Sequence, residues 1–254
     1  MKITFLGTGT SQGVPVIACS CNVCQSSNPQ DKRLRSSILI EIEDLRMVVD
    51  TGPDFRYQML RAKVQKLDAV LFTHPHKDHI AGLDDVRAYN RLQGGAIDIY
   101  ADEYVQEALK REFYYAFQPQ KYFGIPQLNL HEINESQSFY IKNIEITPIL
   151  VFHYRMPVLG FRIEDFAYIT DAKTISKEEK DKLRGVKTLV LNALQKESHI
   201  SHLTLSEAIE LAEEIGAETT YFTHISHNMG LHEEVSQELP PQMHLAYDGL
   251  IINS

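Results

Sequence analysis

The sequence has no tryptophan, only three cysteines and no long hydrophobic run. No apolar stretch approaches the ~20 residues a membrane span requires. Met1-Lys2-Ile3-Thr4-Phe5 opens as a strand rather than as a signal peptide, so a cytoplasmic protein is expected. Positive charge is also short: 25 Lys and Arg stand against 34 Asp and Glu, a formal net charge of -9. Phosphate backbones are gripped by clustered cations, so an extended nucleic-acid partner is not expected. Bound divalent metal would reverse the local sign at the one place where an anionic substrate has to dock. Hydrophobic residues still fill 43% of the 254 positions, enough for one sizeable α/β core, and a single domain over 1–254 is the simplest organisation.

What the chain does have is one crowded turn, Thr73-His74-Pro75-His76-Lys77-Asp78-His79. Three imidazoles and one carboxylate within six positions repel or stay idle without a cation, and such donors suit zinc, manganese or iron. Lys77 is expected to point outward. The preceding Leu67–Phe72 reads as a buried strand, which places these donors at a strand's end. Ile80–Asp85 reads as a helix start, so Asp78 and His79 can turn away from His74 and His76 toward a second ion.

All three cysteines fall in Cys19-Ser20-Cys21-Asn22-Val23-Cys24, a C-x-C-x2-C knot. A disulfide would leave one odd thiol, whereas structural zinc takes four ligands. The fourth candidate is His227, three residues beyond His224. The plainer alternative, three thiols without metal, stays open. Gly7-Thr8-Gly9-Thr10-Ser11-Gln12-Gly13 lacks the full phosphate-loop spacing with its lysine, so it reads as a tight connection.

Further strands are expected at Ser36–Glu43, Leu45–Asp50, Ile97–Tyr100, Ile144–Phe152, Leu159–Ile163, Phe166–Thr170, Lys187–Asn192 and Thr219–Thr223. Helices are expected from Leu83 to Asn90 and from Glu103 to Phe117. The aromatics Phe113, Tyr114, Tyr115, Phe117, Tyr122 and Phe123 read as packing against a core or a partner subunit, with a homodimer contact or a substrate wall as sharper readings. Thr204 and Glu207 form a capping-box pattern, T-x-x-E, before a helix whose apolar face is Leu205, Ala208, Ile209, Ala212 and Ile215. The loop ahead of it, Ser198-His199-Ile200-Ser201-His202-Leu203, is thereby held in place.

The H-x-H-x-D-H turn resembles the signature of the metallo-β-lactamase superfamily. With the cysteine knot, the pre-helical His202 and the His224/His227 pair, nearly the whole chain resembles its PhnP-like branch, the phosphoribosyl cyclic phosphodiesterases. The resemblance implies a four-layer αββα sandwich with a small zinc-knot insertion at about residues 15–30. It also implies a binuclear phosphodiesterase that hydrolyses small, including cyclic, phosphodiesters by attack of a metal-bridging hydroxide. Two divalent ions, zinc or manganese, would be held by His74, His76 and His153 and by Asp78, His79 and His224, with Asp171 between them. Asp78 also counts among the catalytic residues. Asp50 would orient a metal-bound histidine, and His202 would protonate the leaving oxygen. Arg87 is an expected clamp on a phosphate oxygen, with a plain helix-surface charge as its alternative.

Three rivals remain. A tRNA 3′-processing endonuclease needs a basic substrate arm, and no Lys/Arg-rich insertion is visible. Carbon-centred hydrolysis of an ester, thioester or lactone has less need of a leaving-group acid such as His202. A non-catalytic metal scaffold has the complete ligand set against it.

Overall fold

The computed structural model describes residues 1–119 and 124–254. Tyr122 and Phe123 of the aromatic run lie outside the described residues.

The chain first builds β1 (Lys2–Gly7), β2 (Ser37–Ile42), β3 (Leu45–Val49), β4 (Ala69–Leu71), β5 (Ile97–Ala101) and β6 (Leu128–Glu132). It then builds β7 (Phe139–Ile141), β8 (Ile144–His153), β9 (Met156–Ile163), β10 (Phe166–Ile169), β11 (Thr174–Ile175), β12 (Thr188–Asn192), β13 (Thr219–Thr223) and β14 (Met243–Leu245). The last strand, β15 (Ile251–Asn253), returns to the first sheet, whose order is β15-β1-β2-β3-β4-β5-β6. The second sheet runs β11-β8-β9-β10-β12-β13-β14, with β7 paired to β8.

Period-2 alternation decides which sheet face each side chain serves. Ile3, Phe5, Ile38, Ile40, Met47, Val49, Ala69 and Leu71 point inward and meet Ile146, Leu159, Phe161, Phe166 and Tyr168 of the second sheet. Their neighbours Leu6, Leu39, Val48 and Val70 point outward and pack under the helices Phe55–Ala62 and Glu103–Glu112. On the far side, Ile149, Ala167, Leu189, Leu191 and Phe222 pack under the helix Leu205–Ile215. Three apolar layers between four layers of secondary structure make the αββα sandwich, a single domain.

Three of the expected helices have different bounds or form. The helix after the crowded turn begins at Lys77 rather than at Ile80, with His76 extended just before it. The helix expected from Leu83 to Asn90 opens as a 3-10 turn, Leu83–Val86, before the α-helix Arg87–Gln93. The helix expected over 103–117 breaks at Phe113, which turns its buried ring into the outer core and leaves helical φ/ψ. No helix among the described residues is long and apolar enough to cross a membrane.

Candidate active site

The histidines and carboxylates gather where strands end. His74 follows β4, His153 closes β8, Asp171 follows β10, and His224 follows β13. Parallel strands pointing the same way aim their exits at one crevice, where open α/β sheets place their ligands. Asp50, Asp171 and His224 all adopt left-handed backbone, with φ of 63°, 56° and 57°. Left-handed residues other than glycine cost on the order of 1–3 kcal/mol each and persist where the surroundings impose them. Asn192 imposes Asp171's turn, because its amide accepts from Ala172 N–H at 2.7 Å and donates to Ala172 O at 3.0 Å.

Asp171 is the hub. Its Oδ2 lies 3.2 Å from His224 Nδ1 and 3.3 Å from His79 Nε2, while its Oδ1 lies 3.9 Å from His74 Nε2 and 3.8 Å from His202 Nδ1. Asp78 Oδ2 reaches to 3.2 Å of His79 Nε2, and His76 Nδ1 lies 3.0 Å from His74 Nε2. The His153 ring closes the group, with its centroid 5.1 Å from that of His76 and 4.4 Å from that of His202. His79 Nε2, His153 Nδ1, His202 Nδ1 and His224 Nδ1 are buried without a hydrogen-bond partner among the described residues.

An outer layer of hydrogen bonds fixes which nitrogen each ring turns inward. Thr73 Oγ1 donates to Asp50 Oδ2 at 2.8 Å and lies 2.9 Å from His74 Nδ1. A hydroxyl has one proton, and the carboxylate takes it, so His74 Nδ1 is the donor and its Nε2 lone pair faces the hub. Asp50 Oδ2 also lies 2.7 Å from His79 Nδ1, which turns His79 Nε2 inward in the same way. His224 is held from its other side, with Nε2 3.1 Å from Thr10 Oγ1 and Nδ1 inward.

The electrostatics ask for positive charge. Burial pushes the proton affinity of His74 and His224 down, and it pushes Asp50 up. Against the same burial, Asp171, Asp78 and Asp50 hold His79 protonated well above the ordinary histidine range. The imidazoles in turn keep Asp171 ionised despite its burial. Three carboxylates around lone pairs with no donor to satisfy them form a donor set that a divalent cation fits. His74, His79 and Asp171 form one group able to hold a metal, and His153, Asp171 and His202 form another. His202 therefore stands within the donor ring itself.

The cysteine knot is separate. Cys19 Sγ and Cys21 Sγ each lie 3.4 Å from His227 Nδ1, and Cys24 Sγ lies 3.6 Å from it. Tetrahedral zinc with arms of about 2.3 Å to sulfur and 2.05 Å to nitrogen puts those atoms about 3.5 Å apart. The three thiols form no disulfide. Hydrogen bonds from Cys24 N–H and His227 lower the Cys21 thiol to about 6, whereas burial raises Cys24 to about 11. The first suits a thiolate ligand, and the second requires a cation before it ionises.

Lys77 is exposed, as expected, and pairs with Glu112. Arg87 forms an ion pair with Asp84 at 3.2 Å and lines a surface cavity of about 700 Å³ with Asp85 and Arg91, a cavity lined by none of the imidazoles. Its guanidinium is thus engaged one helical turn back, and no contact brings it to the hub. Thr10, Thr73 and Asn192 went unassigned in the sequence because a hydroxyl or amide carries no spacing signature. Only their strand-end positions could have pointed to them.

Comparison with known proteins gives the family. A family model described as the β-lactamase superfamily domain matches residues 45–225. A crystal structure of a diphosphatase from the PhnP family superposes with a TM-score of 0.93 at 39% identity, covering 100% of this chain and 97% of that one. An octanoyltransferase of Porphyromonas gingivalis is 39% identical over 98% of this chain and 51% of its own length. A ribonuclease Z of Acaryochloris marina is 31% identical over 65% of this chain and 48% of its own. The chain thus spans about half the length of the curated relatives it matches. The chain belongs to the metallo-β-lactamase superfamily, in its PhnP-like branch.

Proposed function

We propose that the chain hydrolyses small phosphodiesters with two divalent ions, zinc or manganese, and carries one structural zinc in its cysteine knot. The observation that carries this reading is the division of Asp171, whose Oδ2 faces His79 and His224 while its Oδ1 faces His74 and His202. His74, His76 and His153 would hold one ion, and Asp78, His79 and His224 the other, with Asp171 between them. Two such ions acidify water and neutralise charge on the non-bridging phosphoryl oxygens.

The chain's own groups do the rest. Thr73 fixes the tautomer of His74, whose inward nitrogen carries a lone pair, and Asp50 orients His79, whose inward Nε2 would give up its proton to a bound cation. His202 supplies the proton to the departing oxygen. Burial above all lowers its proton affinity, to about 3. An anionic phosphoryl group beside it raises that affinity and charges the imidazole where the leaving oxygen needs it. Leu203 N–H donates to Ala172 O at 2.9 Å, which ties the His202 loop to the strand exit that bears Asp171. The capping box of Thr204 and Glu207 fixes its other end.

The related diphosphatase supports chemistry at phosphorus. The net charge of -9 favours a small substrate over tRNA. The test is a parallel assay of the manganese- or zinc-loaded protein on bis(p-nitrophenyl) phosphate, ribose cyclic phosphates, a precursor tRNA and p-nitrophenyl acetate. Turnover of the small diesters well above the ester and the tRNA is expected. Preferential cleavage of the tRNA or the ester overturns the reading.

A further inference from the structure

We infer that Thr10, in the glycine-rich turn after β1, is a positioning residue that sets the tautomer and the angle of His224. The inference rests on the proposed metal reading, in which His224 holds an ion. Thr10 Oγ1 lies 3.1 Å from His224 Nε2, and the opposite nitrogen, Nδ1, is buried without a hydrogen-bond partner and faces Asp171 Oδ2 at 3.2 Å. His79 shows the same plan, an outer oxygen on Nδ1 and an inner Nε2 with no hydrogen-bond partner, and His74 likewise carries an outer oxygen on Nδ1 with its Nε2 turned inward. With Thr10 accepting from Nε2–H, the Nδ1 lone pair is the one that faces the hub.

The turn is built to deliver this hydroxyl. Ile225 N–H donates to Thr8 O at 2.9 Å and Thr10 N–H donates to Ile225 O at 3.2 Å, so the turn is zipped to the residue after His224. On its other flank Gly9 N–H donates to Leu34 O at 2.7 Å, and Ser36 returns both its N–H and its hydroxyl to Gly9 O at 3.0 Å. A Cβ on Gly9 would meet Arg33 Cβ at 2.9 Å, and one on Gly7 would meet Arg35 O at 1.9 Å. The glycines therefore permit close approach of backbones, and what that approach seats is Thr10 against His224.

His224 needs such a brace. Its backbone is left-handed, and its ring lies between those of His79 and His202, with centroids 5.8 Å and 4.9 Å away and tilts of only 19° and 22°. Neither stacked face fixes rotation in the ring plane. The Thr10 hydroxyl does.

Thr10→Val removes the hydroxyl and keeps the backbone bonds of the turn, and Thr10→Ser restores the hydroxyl. In the full chain, affinity for cobalt or zinc is read by chelator competition, and the His224 tautomer is read in the metal-free protein by nitrogen-15 NMR. Thr10→Val is expected to weaken one of the two site ions about 10- to 100-fold, the usual effect of losing an outer partner. It should also lose the uniform Nε2–H tautomer, while Thr10→Ser recovers both. Wild-type affinity in Thr10→Val overturns the inference. So does an Nδ1–H tautomer in the wild-type protein, a measurement that stands even if Thr10→Val fails to fold. His224→Ala separates the two levels: loss of one ion there beside unchanged Thr10→Val removes only the Thr10 role, and retention of both ions overturns the metal reading and this inference together.

Discussion

Asp50 Oδ2 lies 2.7 Å from His79 Nδ1, and both side chains are fully buried. The same carboxylate accepts from Thr73 N–H at 2.9 Å and from the Thr73 hydroxyl at 2.8 Å. Asp50→Ala strands three buried donors, each worth about 1–3 kcal/mol. It should lower both stability and metal affinity, the latter about 10- to 100-fold. Asp50→Asn keeps an acceptor oxygen and should lose less. Denaturant melts and chelator competition on both variants check this, and wild-type metal affinity in Asp50→Ala would remove the orienting role.

The H-x-H-x-D-H stretch could be read because its donors are adjacent in sequence and follow an apolar strand. The fourth member of the knot could be read for a similar reason, since His227 falls three residues beyond His224. The outer layer could not. Thr10 and His224 stand 214 positions apart, and nothing local in either segment announces the bond. The helix Phe55–Ala62 escaped for a different reason. Asp54, at its start, makes no side-chain cap because its carboxylate is taken by Arg35, whose backbone N–H and guanidinium both bond to it. For Arg87 the sequence carries no mark of its partner, which in the structure is Asp84.

Removing one arm of the knot should cost one ion. Cys21 Sγ faces His227 and also caps the short helix Asn22–Gln25 by accepting from Cys24 N–H at 3.4 Å. Cys21→Ser is expected to lose one zinc by elemental analysis, to lower thermal stability and to keep the ions of the histidine site. Unchanged metal content in a folded Cys21→Ser protein removes the structural zinc.

His232 gives the fold a pH dependence outside the histidine site. Its Nδ1 lies 3.1 Å from the buried Arg33 guanidinium, and burial together with that cation lowers it to about 4. Asp31, which accepts from His232 N–H at 2.8 Å, opposes the shift only in part. The unfolded chain binds this proton near pH 6.5 and the folded chain only near 4, so stability is full above 6.5 and falls as pH drops through that window. His232→Gln should flatten this part of the curve. Denaturation midpoints of both proteins from pH 7.5 to 4.5 decide it, and equal slopes rule out the His232 contribution.

His202 divides substrates by leaving group. A p-nitrophenolate departs without much help, whereas an alkoxide needs a proton, and general acid catalysis is typically worth 10² to 10⁴ in rate. His202→Ala should therefore keep its ions, keep most turnover of bis(p-nitrophenyl) phosphate and lose alkyl and cyclic diesters by about that factor. The geometry makes the metal count decisive, because His202 Nδ1 stands 3.8 Å from Asp171 Oδ1, as near as His74 Nε2 at 3.9 Å. A lost metal equivalent in His202→Ala makes this residue a ligand rather than an acid. An equal fall for both leaving-group classes with both ions present makes it a phosphate contact, because only a proton donor distinguishes an alkoxide from a phenolate.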